Sequence, residues 1–296
     1  MTLVDVINLF DTDEKCREIL VRLRWPAGVE CPRCKMPAVE LATAKQLFYC
    51  KGCDYQFTVT ASTIFNDSHL PLQKWFLATL LLCEARKGMS ANQVKRTWGI
   101  SYKTAWYLCH RIRAAMKEVD QPMLDGTVEM DETYVGGKKI GWGQKAGQKA
   151  KEVVIGIRQR SGDLRFFHAT DASTGTLAKY IKENISEDVE VIVTDEWRGY
   201  KAAVGDHQHE TVNHSAKEYA RYENGACIST NTVESAFSLL KRGIMGSWHK
   251  ISAKHLPAYL DEMTFRFNRR KSANLFLDTL RHMVTAPVLT FEKLTA

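Results

Sequence analysis

Apolar residues in the first part of the chain recur mainly at helical spacing, which predicts helices up to about residue 122. Residues 12–24 form one amphipathic pattern, and a longer apolar run begins after Pro71 and closes at Gly88. Two further periodic segments follow, and Ser90 and Ser101 stand at their starts as helix caps. We therefore expect short capped helices to dominate this part of the chain.

The hydrophobic pattern changes near residue 123, where alternating segments begin. Three strands are predicted in succession: TVEMDETYVGG, KEVVIGIRQR and LRFFHAT. A tight turn at residues 161–163 joins the second and the third. A helix at 174–184, a strand ending in VIVTD, a further helix, a short strand in HETVNHS and a helix starting near Asn231 follow, and two amphipathic helices complete the chain. This order of strands and helices is that of a ribonuclease H-like fold.

The two capped segments before residue 122 are separated by Gly99. A short helix, a glycine-containing turn and a basic amphipathic helix form the helix-turn-helix pattern. We predict that the second helix contacts DNA through outward-facing Lys103, Tyr107 and Arg111. The alternative is a plain helix bundle with a solvated basic face.

Composition favours a polyanionic partner and a reducing compartment. The 296 residues include 41 Lys and Arg against 34 Asp and Glu, a formal net charge of +7. No apolar run reaches the length of a membrane span, and the start of the chain does not have the basic-then-apolar order of a secretion signal. We therefore expect a cytoplasmic protein without a membrane partner, in which cysteines serve as metal ligands or core thiols and not as disulfides.

Four cysteines have the spacing of a zinc site. Cys31 and Cys34 form one CxxC pair, and Cys50 and Cys53 form another after a strand-like segment. We predict a closed shell of four thiolates around a structural Zn²⁺, with a redox pair as the alternative.

The predicted elements together divide the chain into three domains. The expected protein is an α/β chain with an N-terminal helix and zinc ribbon at 1–65, a helix-turn-helix domain at 66–122 and a ribonuclease H-like catalytic domain at 123–296.

Carboxylates mark the predicted strands of the last domain. Asp131 lies within VEMDETY, Asp195 ends VIVTD, and Glu234 lies on the following helix. Ligands collect at the carboxyl ends of strands in open α/β sheets, and such oxygen donors suit Mg²⁺ or Mn²⁺. Two of these ions can activate a water or a 3′-hydroxyl and stabilise a leaving oxygen, so no histidine base is required.

The helix that begins near Asn231 offers two candidates for the third metal ligand. With Asn231 as its N-cap, Glu234 lies where a capping box would bond it back to the cap, so its role can be structural. The amide oxygen of Asn231 is then an alternative third ligand. Lys241 lies two turns beyond Glu234, about 10 Å along the axis, where it can meet a phosphate.

Basic residues elsewhere extend the predicted DNA contacts. Arg242 follows Lys241, and a loop at 136–151 contains Lys138 and Lys139 among five lysines and five glycines. Such a loop can follow a phosphate backbone, or it can serve only to keep the protein soluble.

Several of these segments together resemble the insertion-sequence DDE transposases of the zinc-ribbon, ISXO-like group, relatives of the Merlin transposases. The resemblance rests on the following segments: CPRC, CKGC, DETYVGGK, VTDEWRGY, VNHSAKEYAR, TNTVES, LLKRGIMGSWHKIS and KHLPAYLDEMTFRFNRR. It implies that Asp131, Asp195 and Glu234 hold the catalytic metals, with Lys241 beside them on DNA. Members differ in whether Asn231 or Glu234 corresponds to the third ligand, so both stay open.

The resemblance also implies an activity and a set of partners. The N-terminal modules would bind the terminal inverted repeats of the element, and the last domain would cleave the ends and join them to target DNA. A homodimer or higher homo-oligomer associated with the nucleoid is expected. Two alternatives remain: a non-catalytic DNA-binding regulator or domesticated transposase, and a nuclease that cuts without joining.

Overall fold

The computed structural model describes residues 1–41, 46–136, 151–223 and 225–296. They divide into two compact units, Met1–Lys117 with Arg269–Ala296, and Glu118–Asn268. Lys138 and Lys139, which the sequence analysis assigned to DNA binding, lie outside the described residues. In the described parts of the chain, no helix has both the length and the apolar character needed to span a bilayer.

The first unit begins with two helices and a small sheet. Helices α1 and α2 span Leu3–Leu9 and Asp13–Arg24, and three short antiparallel strands of the described residues follow, β1 at Val39–Glu40, β2 at Phe48–Cys50 and β3 at Tyr55–Phe57. The Trp25 ring packs edge-on against Phe48 and Phe57, at centroid distances of 5.5 and 6.0 Å. This aromatic cluster is the small core between α2 and the sheet.

Helices form the rest of the first unit, at these bounds: α3 Leu72–Glu84, α4 Ala91–Trp98, α5 Tyr102–Ala115, α10 Leu275–Thr285 and α11 Phe291–Thr295. The predicted caps are confirmed, since the side chains of Ser90 and Ser101 accept backbone N–H groups at the starts of α4 and α5. Gly99 ends α4 with φ of +61°, a left-handed conformation that suits glycine.

The C-terminal helix α10 packs in the first unit, although the sequence analysis places it in the domain at 123–296. Its buried side chains contact α3, where the hydroxyl of Thr79 lies 3.3 Å from the sulfur of Met283. The ring of Phe276 packs on Phe76 at 5.9 Å. The apolar face of α10 is therefore buried within the first unit, and this burial assigns Leu275–Thr285 to that unit.

The second unit is a mixed sheet covered by helices. Its described strands are β4 Thr127–Val135, β5 Glu152–Gln159, β6 Leu164–Ala169, β7 Val191–Asp195 and β8 His209–Val212. They pair in the order β6-β5-β4-β7-β8; β4, β5 and β6 are mutually antiparallel, and β7 and β8 run parallel to β4. The other described elements are α6 Thr174–Asn184, α7 Arg198–Ala203, the pair β9 Arg221–Glu223 and β10 Ala226–Ile228, α8 Asn231–Gly243, and α9 Leu256–Asn268. The predicted strands and helices occur in the predicted order, and the pair β9 and β10 is added between β8 and α8.

Alternation along β4 separates the two faces of the sheet. Val128 and Met130 belong to a core shared with residues of α6 and α7, whereas Val135 belongs to a core shared with α8 and α9. Because successive strand residues point to opposite faces, Glu129, Asp131 and Thr133 project toward the side of α8. The strand therefore directs one set of acidic side chains at that helix.

Gly156 brings α8 close to the sheet. It pairs with Asp131 across β4 and β5. A Cβ atom at this position would lie 2.7 Å from the ring of Phe237 and 2.9 Å from a methyl group of Val233, both on α8. A side chain larger than hydrogen would therefore push the helix away from the strand that carries Asp131.

The Gly156→Ala variant is expected to lose about 1–3 kcal/mol of unfolding free energy, since overpacking forces backbone shifts in a close-packed core. Urea unfolding, followed by hydrogen exchange of amides in β4 and β5, measures the loss. Gly175→Ala on α6 is the matched control, because nothing lies within 4 Å of a Cβ there. Equal stability of Gly156→Ala and the wild type would show that α8 moves away without cost.

Candidate functional site

The four cysteines of the small sheet converge on one point. All four sulfur atoms lie within 4.8 Å of one another, with Cys31 to Cys53 at 3.6 Å and Cys34 to Cys50 at 3.4 Å. Each CxxC turn is followed by a residue with positive φ, Lys35 at 62° after the first and Asp54 at 53° after the second. These turns bring the two thiols of each pair to the same side.

The electrostatics of the four thiols fit a cation. Burial raises the pKa of Cys31, but backbone N–H groups of Cys34 and Arg33 outweigh this and lower it to about 6. Hydrogen bonding to the thiol of Cys34 and burial raise the pKa of Cys53 to about 12. Thiols at this spacing cannot all ionise without a positive charge among them, and the tetrahedral sulfur set is typical of structural zinc.

A second group of polar side chains lies at the sheet of the second unit. Asp131 is on β4 and Asp195 is the last residue of β7. The two strands are parallel, with Glu129 paired to Val193. Continuing this register by two residues brings Asp131 level with Asp195, so the two carboxylates lie on neighbouring strands at one height.

Glu129 fixes the start of α8 beside these aspartates. Its side chain is fully buried, and one oxygen accepts the backbone N–H groups of Thr232 at 2.9 Å and Val233 at 3.0 Å. The other oxygen is 2.9 Å from the guanidinium of Arg160, which also donates to backbone carbonyls of Cys227 and Ser229 just before the helix. The helix terminus and Arg160 together compensate the buried charge.

Because Glu129 takes these amides, the predicted cap at Asn231 is wrong. Thr230 precedes the helix, Asn231 is its first residue with an exposed side chain, and Thr230 makes no side-chain hydrogen bond to the helix backbone. No capping box forms, and Glu234 instead accepts the hydroxyl of Thr230 at 2.7 Å. The side chain of Glu234 remains 40% exposed.

The charges of neighbouring carboxylates affect the ionisation of Asp131. Burial, together with the negative charges of Glu132, Asp195 and Glu234, raises the pKa of Asp131 to about 7. Among the described residues, the four cysteines are the group whose ligand atoms converge within 4.8 Å of one another. A half-buried carboxylate whose pKa is raised by neighbouring negative charges belongs to a donor set suited to Mg²⁺ or Mn²⁺.

Each carboxylate has one oxygen held by the protein. Asp131 accepts the N–H of Glu132 at 2.8 Å, Asp195 accepts the N–H of Trp197 at 2.9 Å, and Glu234 accepts the Thr230 hydroxyl. Within the described residues, no hydrogen bond engages the second oxygen of any of the three. The arrangement fixes the groups and leaves one oxygen of each for a ligand.

Glu132 points away from this group, as strand alternation predicts. Its carboxylate accepts the hydroxyl of Tyr200 on α7 at 2.6 Å, on the opposite face of the sheet. Burial raises the pKa of Glu132, and burial together with the charge of Glu132 raises that of Tyr200. Glu132 is thus bonded to the α7 layer.

His214 is a residue of the site that the sequence analysis does not find. It follows β8, and its Nε2 lies 3.2 Å from Glu234 Oε1 and 3.2 Å from Thr230 Oγ1. Its signal in the sequence is weak: a polar pair, Asn213 and His214, directly after a short strand. The role of Glu129 is equally invisible in the sequence, because it depends on contacts with residues more than 100 positions away.

Three predicted DNA contacts lie along a groove of about 560 Å³ in the first unit. Lys103 is exposed, with Nζ 4.3 Å from the centroid of the Phe291 ring, and the hydroxyl of Tyr107 donates to the Leu289 carbonyl at 2.5 Å. Arg111 is 3% exposed and donates to the Asn66 carbonyl, so its predicted outward direction is wrong.

The two predicted DNA contacts on α8 lie at the far end of that helix. Lys241 and Arg242 are both exposed. The guanidinium of Arg242 donates to the carbonyl of Ser238 at 3.1 Å, one turn earlier.

Comparisons with known proteins match two segments of the chain to family models. The family described as ISXO2-like transposase domain matches residues 123–268, which include Asp131, Asp195 and Glu234. The transposase zinc-ribbon domain matches residues 11–56, which include the four cysteines. A protein of Halobacterium salinarum, described as an uncharacterized protein in transposable element ISH50, is 29% identical over 282 residues, 88% of this chain and 92% of that protein.

The Cys34→Ser variant is expected to lose its zinc. Removing even a hydrogen-bond partner of a metal ligand weakens binding roughly 10- to 100-fold, so loss of a ligand should exceed this range. Elemental analysis after purification should find about one zinc ion per wild-type chain and far less in the variant. Cys227→Ser, in the second unit, should keep its zinc; full zinc content in Cys34→Ser would contradict the site.

The Asp131→Asn variant is expected to be more stable than the wild type at pH 8 without Mg²⁺ or Mn²⁺. An aspartate ionises near pH 4 in an unfolded chain, whereas the pKa of Asp131 in the folded chain is raised to about 7. Between these values the folded state holds a proton that the unfolded state has released. Wild-type stability therefore falls as the pH rises through this window, by roughly 1 to 4 kcal/mol in total.

Urea unfolding at about pH 5 and pH 8, with zinc retained, measures this difference between Asp131→Asn and the wild type. The gain should be larger at pH 8, where the wild-type carboxylate must ionise in both states. Asp188→Asn is the control, because Asp188 is exposed. An equal gain at both pH values would show that Asp131 is not a desolvated acid.

Proposed function

Because the chain belongs to the transposases that combine a zinc ribbon with an ISXO2-like transposase domain, we propose that it cleaves and joins DNA strands with two divalent metal ions held by Asp131, Asp195 and Glu234. The observation that carries this proposal is the placement of Asp131, half-buried beside Asp195 and near Glu234, where burial together with the negative charges of Glu132, Asp195 and Glu234 raises the pKa of Asp131 to about 7. Carboxylates brought together at such a cost fit a role in binding cations.

The sheet supports assigning the second unit to the ribonuclease H-like fold. Its strand order is β6-β5-β4-β7-β8, with an antiparallel half and a parallel half. Asp131 is on the central strand and Asp195 ends the neighbouring parallel strand. In open sheets of this kind, the carboxyl ends of adjacent parallel strands form the ligand crevice.

In the proposed reaction, carboxylates of the chain hold the metal ions and a lysine contacts the DNA. Two bound Mg²⁺ or Mn²⁺ ions would activate a water or a 3′-hydroxyl and stabilise the leaving oxygen of a phosphodiester. Asp131 and Asp195 are held rigidly, since backbone N–H groups of Glu132 and Trp197 fix one oxygen of each. Lys241 is exposed on the helix that carries Glu234, where it can meet a DNA phosphate.

We propose Glu234 rather than Asn231 as the third ligand. The charge of Glu234 contributes to the raised pKa of Asp131, and its carboxylate is oriented by the hydroxyl of Thr230. Asn231 is exposed in the first turn of α8, three residues earlier. An amide there remains the alternative that the experiment below distinguishes.

DNA binding by the first unit is proposed on the helix pair α4 and α5. The caps at Ser90 and Ser101 and the left-handed Gly99 support a helix-turn-helix, with the exposed N-terminal end of α5 carrying Tyr102 and Lys103. We propose that this helix and the zinc ribbon bind the terminal inverted repeats of the element, with Arg242 and the loop lysines on the phosphate backbone. We also propose a homodimer or higher homo-oligomer, which would pair two ends.

Strand transfer in vitro tests the proposal, with end DNA of the native element and Mg²⁺ or Mn²⁺. We expect joined product from the wild type, and a loss of at least about 100-fold in Asp195→Ala and Glu234→Gln, because each removes a metal ligand. End binding, measured separately by gel shift, should persist in both. Glu190→Gln is the control, since Glu190 precedes the opposite end of β7 and is exposed.

Each outcome has a distinct meaning. Activity that survives Glu234→Gln but not Asn231→Ala would move the third ligand to Asn231. Cleavage without joined product would identify a nuclease. Tight end binding by a wild type that neither cuts nor joins would indicate a regulator and overturn the proposed catalysis.

A further inference from the structure

His214 is held at the end of β8 by its own short turn. Asn213 accepts the backbone N–H of Ala216 at 2.7 Å through its side chain, and residues His214–Ala216 form a 3₁₀ turn that ends at Lys217 with φ of 60°. Val212, two residues earlier, pairs with Asp195 across β7 and β8. The imidazole therefore lies beside the strand that carries one of the proposed metal ligands.

Hydrogen bonding at Glu234 Oε1 determines what His214 does. The single hydroxyl proton of Thr230 is directed at Glu234 Oε1, at 2.7 Å. The oxygen of Thr230 can then only accept from His214 Nε2, which lies 3.2 Å from it. Nε2 must carry a hydrogen, and this hydrogen is shared with Glu234 Oε1 at the same distance of 3.2 Å.

We propose that His214 is a positioning residue of the metal site, which holds Oε1 of Glu234 together with Thr230 and leaves Oε2 as the metal-facing oxygen. This inference rests on the proposed function. A carboxylate on a helix surface can rotate about its side-chain bonds, and two donors on one oxygen remove most of that freedom. Hydrogen-bond partners of metal ligands typically change metal affinity by about 10- to 100-fold.

The burial of these groups distinguishes this arrangement from a core hydrogen bond. Thr230 is fully buried, whereas the side chains of His214 and Glu234 are 32% and 40% exposed. The imidazole lies beside the ring of Tyr219, at 5.8 Å between ring centroids, and Tyr219 is itself 60% exposed. Loss of His214 should therefore change the orientation of Glu234 more than the stability of the unit.

The same sheet provides a matched control. His168 Nε2 lies 2.7 Å from Glu152 Oε2, a closer pair than that of His214. His168 is on β6 and Glu152 begins β5, so neither belongs to the strands of Asp131 and Asp195. His168→Ala removes an imidazole–carboxylate pair from the same unit without altering the proposed metal ligands.

Mn²⁺ binding to the full-length, zinc-loaded protein tests the inference without DNA and without activity. Electron paramagnetic resonance of free Mn²⁺ gives the dissociation constant. We expect His214→Ala to weaken Mn²⁺ binding about 10- to 100-fold, His214→Gln to recover part of the loss because its amide can donate, and His168→Ala to match the wild type. Circular dichroism and hydrogen exchange of α8 confirm that each variant is folded.

The outcomes separate this inference from the proposed function. If Asp195→Ala binds Mn²⁺ as tightly as the wild type, the proposed metal site itself fails. If Asp195→Ala loses Mn²⁺ while His214→Ala retains wild-type affinity, only the role of His214 fails. Equal losses in His214→Gln and His214→Ala, or nitrogen couplings in the pulsed spectrum of bound Mn²⁺, would also overturn it, the latter by making His214 a direct ligand.

Discussion

The buried carboxylate of Glu129 is the interaction on which the second unit depends. It lies on the central strand, caps the first turn of α8 and pairs with Arg160. A fully buried charge is tolerated only when donors surround it, and removing one partner of such a pair typically costs about 3–5 kcal/mol. The Glu129 side chain thus connects β4 to α8 and to the segment before α8, and it fixes the position of the first turn of α8, which carries Glu234.

Packing and electrostatics act together at this helix. Gly156 allows α8 to approach the sheet, since a Cβ there would overlap Val233 and Phe237. Glu129 then sets the position of the helix along the strand, because its oxygen must meet two particular amides. The first contact limits the distance between helix and sheet, and the second limits sliding and rotation, so the carboxylate of Glu234 is positioned relative to Asp131 by both.

Local patterns in the sequence predict the elements and the clustering of the four cysteines well. The helix at 174–184, the caps at Ser90 and Ser101, and the two CxxC pairs are confirmed, because each depends on neighbouring residues. The predictions that failed depend on distant contacts. The cap at Asn231 is wrong because Glu129, from β4, takes the amides that a local cap would take. Arg111 is buried, and its guanidinium donates to the carbonyl of Asn66, 45 positions away in sequence.

The same limit applies to the carboxylate site. Asp131, Asp195 and Glu234 are found in the sequence because carboxylates in apolar strands and on the following helix stand out, and the roles assigned to them remain proposals. His214 does not stand out, since its neighbour Glu234 is 20 positions away in sequence and only tertiary structure brings Nε2 to 3.2 Å. Residues that orient a metal ligand do not occur at a fixed distance from it in the sequence, so a sequence motif does not include them.

The two candidate metal centres differ in how the protein holds their ligands. In the ribbon, the four sulfurs lie within 4.8 Å of one another, and a tetrahedral ion bound there would have a full shell. At the sheet, one oxygen of each carboxylate is held by a donor of the protein. Ions held by single oxygens keep coordination positions for water and for phosphate oxygens, as a catalytic site requires and a structural zinc site does not.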